Sequence, residues 1–219
     1  MTTESSFPFF DPLAAVDVSY RHLPHWEQDA VTYFITFRTA DSLPVAIYRD
    51  WLTRRDEWLR VHGLDPDDPD WHSDLHRLDP ATRREFHSLF SARLQQYLDA
   101  GHGECLLKQP HLAQLVADAL LFFDAQRYHL GDFVVMPNHV HLLVQLRGHA
   151  KLKAQCRSWK KFSAGQINSA VGRKGHFWQG ESYDHIVRSQ EQFEFYRQYI
   201  AENPGKARLR EEEYLYWRT

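Results

Sequence analysis

From Phe133 to Val144 the chain is apolar at nearly every position, and the interruptions are a Pro137-Asn138 pair and two histidines, His139 and His141, flanking Val140. The pattern predicts two adjacent strands, about 129–136 and 139–146, with Pro137-Asn138 as the tight turn between them. Strand side chains alternate between faces, so His139 and His141 project from one face, about 7 Å apart along the chain. Val140, Leu142, Val144 and Leu146 form an apolar row on the other face, suited to packing against helices. Val31-Thr32-Tyr33-Phe34-Ile35-Thr36-Phe37-Arg38 is β-branched or aromatic almost throughout and predicts an earlier strand of the same sheet, with Arg38 on the face of Thr32, Phe34 and Thr36.

Helical periodicity marks residues 45–62, with Trp51, Leu52, Trp58 and Leu59, and residues 81–100, with Phe86, Leu89, Phe90, Leu94 and Leu98. The Asp/Pro-rich loop Asp65-Pro66-Asp67-Asp68-Pro69-Asp70 separates them, and 41–104 is expected to be a helical insertion after the first strand. Residues 109–127 repeat apolar positions at Leu112, Leu115, Val116, Ala119, Leu120 and Phe123, an amphipathic helix. Residues 150–171 predict a basic helix that packs Leu152, Trp159, Phe162 and Ile167, and 176–188 is aromatic and strand-like. Ser189 followed by Gln192 is a capping box, so a last helix begins near Ser189, and Pro204 should end it near Glu202 or Asn203. Phe193, Tyr196 and Ile200 make its buried stripe, while Tyr199 and Asn203, one turn apart, share another face. Residues 1–24 are expected to be an extended arm and 205–219 a C-terminal tail.

At 219 residues and 43% hydrophobic, the chain suits one domain with an insertion. No apolar stretch approaches the roughly 20 residues of a membrane span, and the start has no basic leader, so a cytoplasmic, nucleoid-associated protein without a membrane partner is expected. Cys105 and Cys156 form no CxxC pair, which gives neither a disulfide framework nor a zinc knuckle. Net charge is −3, yet Arg147, Lys151, Lys153, Arg157, Lys160, Lys161, Arg173 and Lys174 fall in one stretch without an Asp or Glu. Such a stretch is either a solvated face or a surface that neutralises phosphates, and the missing acids favour the second.

Taken in order, Leu23-Pro24-His25-Trp26, Tyr33-Phe34-Ile35-Thr36-Phe37-Arg38, Ser42-Leu43-Pro44, the 135–144 block with its histidine pair, Phe177-Trp178-Gln179, Tyr183-Asp184-His185-Ile186-Val187-Arg188 and Tyr199-Ile200-Ala201-Glu202-Asn203-Pro204 resemble the single-tyrosine HUH transposases, most closely the REP-associated tyrosine transposases. The resemblance implies an α+β, ferredoxin-like fold, an antiparallel sheet flanked by helices with the histidine pair on a central strand. It implies Tyr199 as a nucleophile that attacks a DNA phosphodiester, giving a 5′-phosphotyrosine and a free 3′-hydroxyl. The partner is then single-stranded DNA or a DNA hairpin, and members act as monomers or as homodimers whose sites the partner's helix completes.

A phenol with pKa about 10 is a weak nucleophile, and a divalent cation on the phosphate offsets this. His139, His141 and an oxygen donor, for which Asn203 is the choice, make a facial set suited to Mg2+ or Mn2+. Arg38, Arg157, Lys160, Lys161, Arg173, Lys174 and Arg188 are candidate DNA contacts, with Trp178, Trp159 and Phe177 as base-stacking groups. Blander alternatives stand beside these: two core histidines, an ordinary amphipathic Tyr199, and an Asn203 that merely ends a helix. Tyr183 competes as nucleophile but lacks the Asn-Pro sequel. The main functional alternative is a catalytically silent hairpin-binding protein of the same fold. A histidine-triad hydrolase would need a histidine where Leu143 stands, and a two-histidine phosphoesterase a second His-x-Thr/Ser motif that the sequence lacks.

Overall fold

The apolar run around the histidines becomes the middle of a five-stranded antiparallel sheet in a computed structural model that describes residues 7–20, 24–68, 71–92, 101–148 and 150–219. Its strands are β3 (Thr32–Arg38), β4 (Tyr128–Met136), β5 (His139–Leu146), β6 (Tyr183–Ile186) and β7 (Leu215–Trp217), in the order β6-β3-β5-β4-β7. With flanking helices this is the α+β class expected from the sequence. β5 is central, pairing with β3 on one side and β4 on the other.

Alternation along β5 sorts its residues as expected. Val140, Leu142, Val144 and Leu146 enter one core with Leu112, Val116 and Leu120 of α4 (Pro110–Leu121) and Leu152, Trp159 and Ile167 of α5 (Leu152–Ala170). Leu143 joins Phe34, Val134 and Met136 on the other face, beneath Phe193 and Ile200 of α6 (Gln190–Lys206). At about 25 cal/mol per Å2, each fully buried Leu or Ile contributes roughly 1.5–3 kcal/mol, so the two faces fix the sheet's register as well as its stability.

Asp132 ties the C-terminal end of the chain to this second layer. A bulge between Leu130 and Phe133 leaves Asp132 buried, where it accepts hydrogen bonds from Tyr216 Oη (3.1 Å), the Thr219 amide (3.2 Å) and Arg197 Nε of α6 (3.3 Å). Gly131 in the same bulge lies so close to β5 that an added Cβ would stand 3.0 Å from Leu143 Cβ.

Several expectations are corrected. The N-terminal stretch, expected to be an extended arm, is extended but docked: β1 (Asp17–Tyr20) pairs with β2 (Pro24–Glu27), Phe7 is buried against Phe193, and the Thr32 amide donates to Pro8 O at 2.9 Å. The 176–188 stretch forms a strand only over Tyr183–Ile186, plus a bridge from Thr39 to Trp178. Phe162 is 52% exposed, because it lies on the outer face of α5. Helix α6 begins as expected, with Ser189 Oγ accepting from the Gln192 amide at 3.2 Å, although the Gln192 side chain bonds the Arg188 amide rather than that of Ser189. It does not stop before Pro204 but runs through it to Lys206. Proline removes one N–H, yet Asn203 and Pro204 are buried, and the Ala207 amide still reaches Asn203 O at 3.0 Å.

The chain divides into two compact units, one made of Met1–Ala40 and Cys105–Thr219 and the other of Asp41–Glu104. The second contains α1 (Val45–Val61), α2 (Trp71–Leu75) and α3 (Pro80–Phe86), the last continuing as a π-helical turn over His87–Ala92. Leu59, Leu64, Trp71, Leu75, Phe86 and Phe90 are its core. Leu89, expected inside, is 39% exposed because the wider turn rotates it outward, and Leu94 and Leu98 lie outside the described residues. Asp79 caps α3, accepting from the Ala81 and Thr82 amides, with Pro80 in the first turn.

A charged clasp joins β2 to the edge strand β6. His25 places Nδ1 on the Asp184 carboxylate and Nε2 on Glu181 at 2.9 Å. The Asp184 bond, against an opposing effect of burial and with help from Glu181, pushes the His25 imidazole up to about 9. A histidine whose folded pKa lies above its unfolded value stabilises fully below pH about 6.5 and loses that contribution as the pH rises through about 9. The difference in urea-unfolding free energy between the native protein and His25→Gln should therefore shrink across that window; a pH-independent difference contradicts the clasp.

Candidate functional site

The antiparallel register places Thr36 opposite His141 and Arg38 opposite His139, with Val134 and Met136 on their other flank. Both histidines are 1% exposed, and their rings lean together to a centroid separation of 4.6 Å. His139 Nδ1 meets Asn138 Oδ1 at 2.7 Å, so Nδ1 carries the proton and donates, leaving the Nε2 lone pair bare. His141 Nδ1 meets Thr36 Oγ1 at 2.7 Å, a hydroxyl able to accept in the same way. Both Nε2 atoms are buried without a hydrogen-bond partner.

Burial holds both imidazoles well below the usual histidine pKa. At His139 the neighbouring His141 and then Arg38 add to it, and at His141 Arg38 does. Both are therefore neutral near pH 7, the state in which imidazole is a ligand or acceptor. The Asn203 amide lies against His139 and favours its protonated form slightly, without a well-aligned bond to Nε2. Buried, partnerless nitrogens cost free energy, and ring nitrogens oriented through Nδ1 fit a divalent cation that accepts imidazole. Among the described residues no three His, Cys, Asp or Glu side chains gather as a metal set.

Tyr199 stands beside this pair. Its ring is 5.1 Å from that of His141, at 72°, and 5.9 Å from Phe34, which itself stacks on Tyr196 at 4.2 Å. Lys206 Nζ lies 5.6 Å from the Tyr199 ring centre and pairs with Glu202 at 2.9 Å. The helical offset read from the sequence thus puts Tyr199 and Asn203 at the two histidines, Tyr199 near His141 and Asn203 near His139. Tyr183 faces the same side of the sheet from β6, two strands from His141.

The other sequence candidates separate. Arg38 is buried at the histidine pair rather than displayed on the surface, and its charge opposes protonation of both rings. Arg157, Lys161, Arg173, Lys174 and Arg188 are exposed. Lys160 donates from Nζ to the carbonyl oxygens of Gln179 (3.1 Å) and Gly180 (2.8 Å), holding the loop that follows Trp178. Trp178 is corrected as a base-stacking group: it is 5% exposed, edge-on to Phe37 at 4.8 Å, with its indole N–H on Ser163 Oγ at 2.9 Å. Phe177 and Trp159 are buried with it. Sequence reasoning did not assign Thr36 and Asn138 their part in orienting the rings; Asn138 adjoins His139, and Thr36 becomes visible once β3 is set against β5.

With this geometry in place, residues 111–203 match a family model described as "Transposase IS200 like". The matched stretch is less than half of the chain and is similar to IS200-like transposases. That segment includes His139, His141, Tyr199 and Asn203, whereas Thr36 and Arg38 precede it. An uncharacterised protein of Haemophilus influenzae is 29% identical over 105 residues, covering 38% of this chain and 57% of that protein. The chain therefore spans little more than half the length of this curated relative. A solved structure of the REP-associated tyrosine transposase bound to a REP hairpin is similar with a TM-score of 0.44 and 18% identity, over 86% of this chain and 73% of that one.

The placement of Trp178 is directly testable. Trp178→Ala should lower the unfolding free energy by about 3–5 kcal/mol in chemical denaturation. Unchanged stability would restore a surface role.

Proposed function

We propose that this protein is a metal-dependent transesterase that cuts and rejoins single-stranded DNA beside a hairpin, with Tyr199 as the nucleophile. One observation carries the proposal: the Tyr199 ring sits 5.1 Å from His141, beside two neutral imidazoles whose buried Nε2 atoms have no partner. The family match over 111–203 supports the reaction class, and the hairpin as recognition element follows from the resemblance of the motifs.

In the reaction the Tyr199 oxygen bonds to phosphorus as the bond from phosphorus to the 3′-oxygen breaks. The phenol gives up its proton and the 3′-oxygen gains one, so a 5′-phosphotyrosine and a 3′-hydroxyl form without water being consumed. Attack by a 3′-hydroxyl on the phosphotyrosine reverses the step and rejoins the strand. His139, His141 and Asn203 would hold Mg2+ or Mn2+, which when bound polarises the phosphoryl oxygen and stabilises developing charge. Asn138 and Thr36 orient the two rings through Nδ1, and Arg38 adds positive charge where a phosphate would lie. Exposed Arg157, Lys161, Arg173 and Lys174 supply a surface for the DNA backbone. The 5.1 Å separation of the Tyr199 and His141 rings within one chain supports a site completed in cis.

Incubation with a labelled hairpin oligonucleotide and Mn2+ should give a covalent protein–DNA adduct that Tyr199→Phe abolishes. Binding without any adduct would leave the silent hairpin-binding alternative. Thr36→Val should weaken Mn2+ binding, followed by electron paramagnetic resonance, roughly ten- to hundredfold by releasing the His141 ring; unchanged Mn2+ affinity would remove Thr36 from the site.

A further inference from the structure

A hollow of about 200 Å3 opens at the edge strand β6, and Phe10, Trp26, Tyr183, Asp184, His185 and Arg188 line it. Its chemistry is that of neither a sealed core nor an ordinary charged surface. Trp26 is 43% exposed and Tyr183 47%, so two large flat rings are offered to solvent. Arg188, also exposed, holds its guanidinium 5.7 Å from the centre of the Phe10 ring. The one acid in the wall, Asp184, is occupied by His25, whose other ring nitrogen is on Glu181. Aromatic faces beside a cation are what an unpaired base and its phosphate require.

Position adds a second argument. Tyr183 is opposite Thr36, which is opposite His141, so the hollow begins two strand spacings from the histidine centre. That is about 10 Å, roughly three nucleotides at the 3.4 Å rise of a stacked strand. Tyr183 and His185 point to the same sheet face as the histidines, because their partners are Thr36 and Phe34. An unbroken row of rings crosses that face: His141 to Phe34 at 5.6 Å, Phe34 to Tyr196 at 4.2 Å, and Tyr196 to His185 at 5.9 Å. The row is packed beneath α6, with Phe34 4% and His141 1% exposed, so it ties the wall of the hollow to the histidine centre rather than offering a path for the strand itself.

We propose that the hollow holds one unpaired nucleotide of the strand being cut, its base against Trp26 and Tyr183 and its phosphate on Arg188. The proposal rests on the DNA-strand function argued above and adds to it a subsite that sets where along the strand the cut falls. It also gives exposed Tyr183 a role in binding rather than in bond making.

The test uses the full chain carrying Tyr199→Phe, so that binding is read without reaction. Fluorescence anisotropy follows two labelled single strands of about twelve nucleotides, one of mixed sequence and one abasic throughout with the same backbone. Trp26→Ala should weaken the base-bearing strand roughly five- to hundredfold and leave the abasic strand unchanged, whereas Arg188→Ala should weaken both. A Trp26→Ala effect equal on both strands, no effect on either, or no binding of either strand overturns the proposal. 2-Aminopurine walked along the base-bearing strand needs no pocket variant: quenching at one position is expected, and its absence at every position overturns the subsite. The adduct assay with Tyr199 intact stays separate. Adducts without base-dependent loss sink the hollow alone, and base-dependent loss without adducts sinks the transesterase alone.

Discussion

The register between β3 and β5 is the constraint on which the site depends. With Thr36 opposite His141, the imidazoles face α6 while Val140, Leu142 and Val144 face α4 and α5. A slip of one residue would turn both histidines into the larger apolar core and send Val140 and Leu142 to the face beneath α6. The burial of those aliphatic residues therefore holds the histidines where they are. The same pairing supplies His141 with its hydroxyl partner, so one register provides both position and ring orientation.

Energetically the site is a tension that the rest of the fold sustains. Two ring nitrogens are deprived of water and given no well-formed hydrogen bond, with only the Asn203 amide against His139, beside a buried arginine that resists protonating them. Either nitrogen left this way costs on the order of 1–3 kcal/mol, and the adjoining sheet faces and the Asp132 network anchoring α6 are what keep it from relaxing. In the proposed function, a cation entering the site would find both rings already oriented, so less binding energy would be lost to reorganisation.

Much of this was legible in the chain. The alternation around His139 and His141 gave the strands, the turn and the sorting of faces, and the four-residue step from Tyr199 to Asn203 gave their common side of α6. What failed did so for tertiary reasons. Pro204 reads as a stop, but its burial with Asn203 carries the helix one turn further. Trp178 and Phe162 show the limit of aromatic counting: Trp178 is enclosed by Phe37 and Ser163, while Phe162 falls on the solvent side of α5. His25 and Asp184 lie 159 positions apart, and no local pattern announces their meeting.

The central claim is that the two bare imidazole nitrogens exist to share one cation. Anomalous X-ray scattering from crystals grown with Mn2+ tests it most directly. The account predicts a single strong peak within bonding distance of both His139 Nε2 and His141 Nε2, on the Tyr199 side of the sheet. A peak elsewhere, with those nitrogens still unbonded at saturating Mn2+, would contradict it.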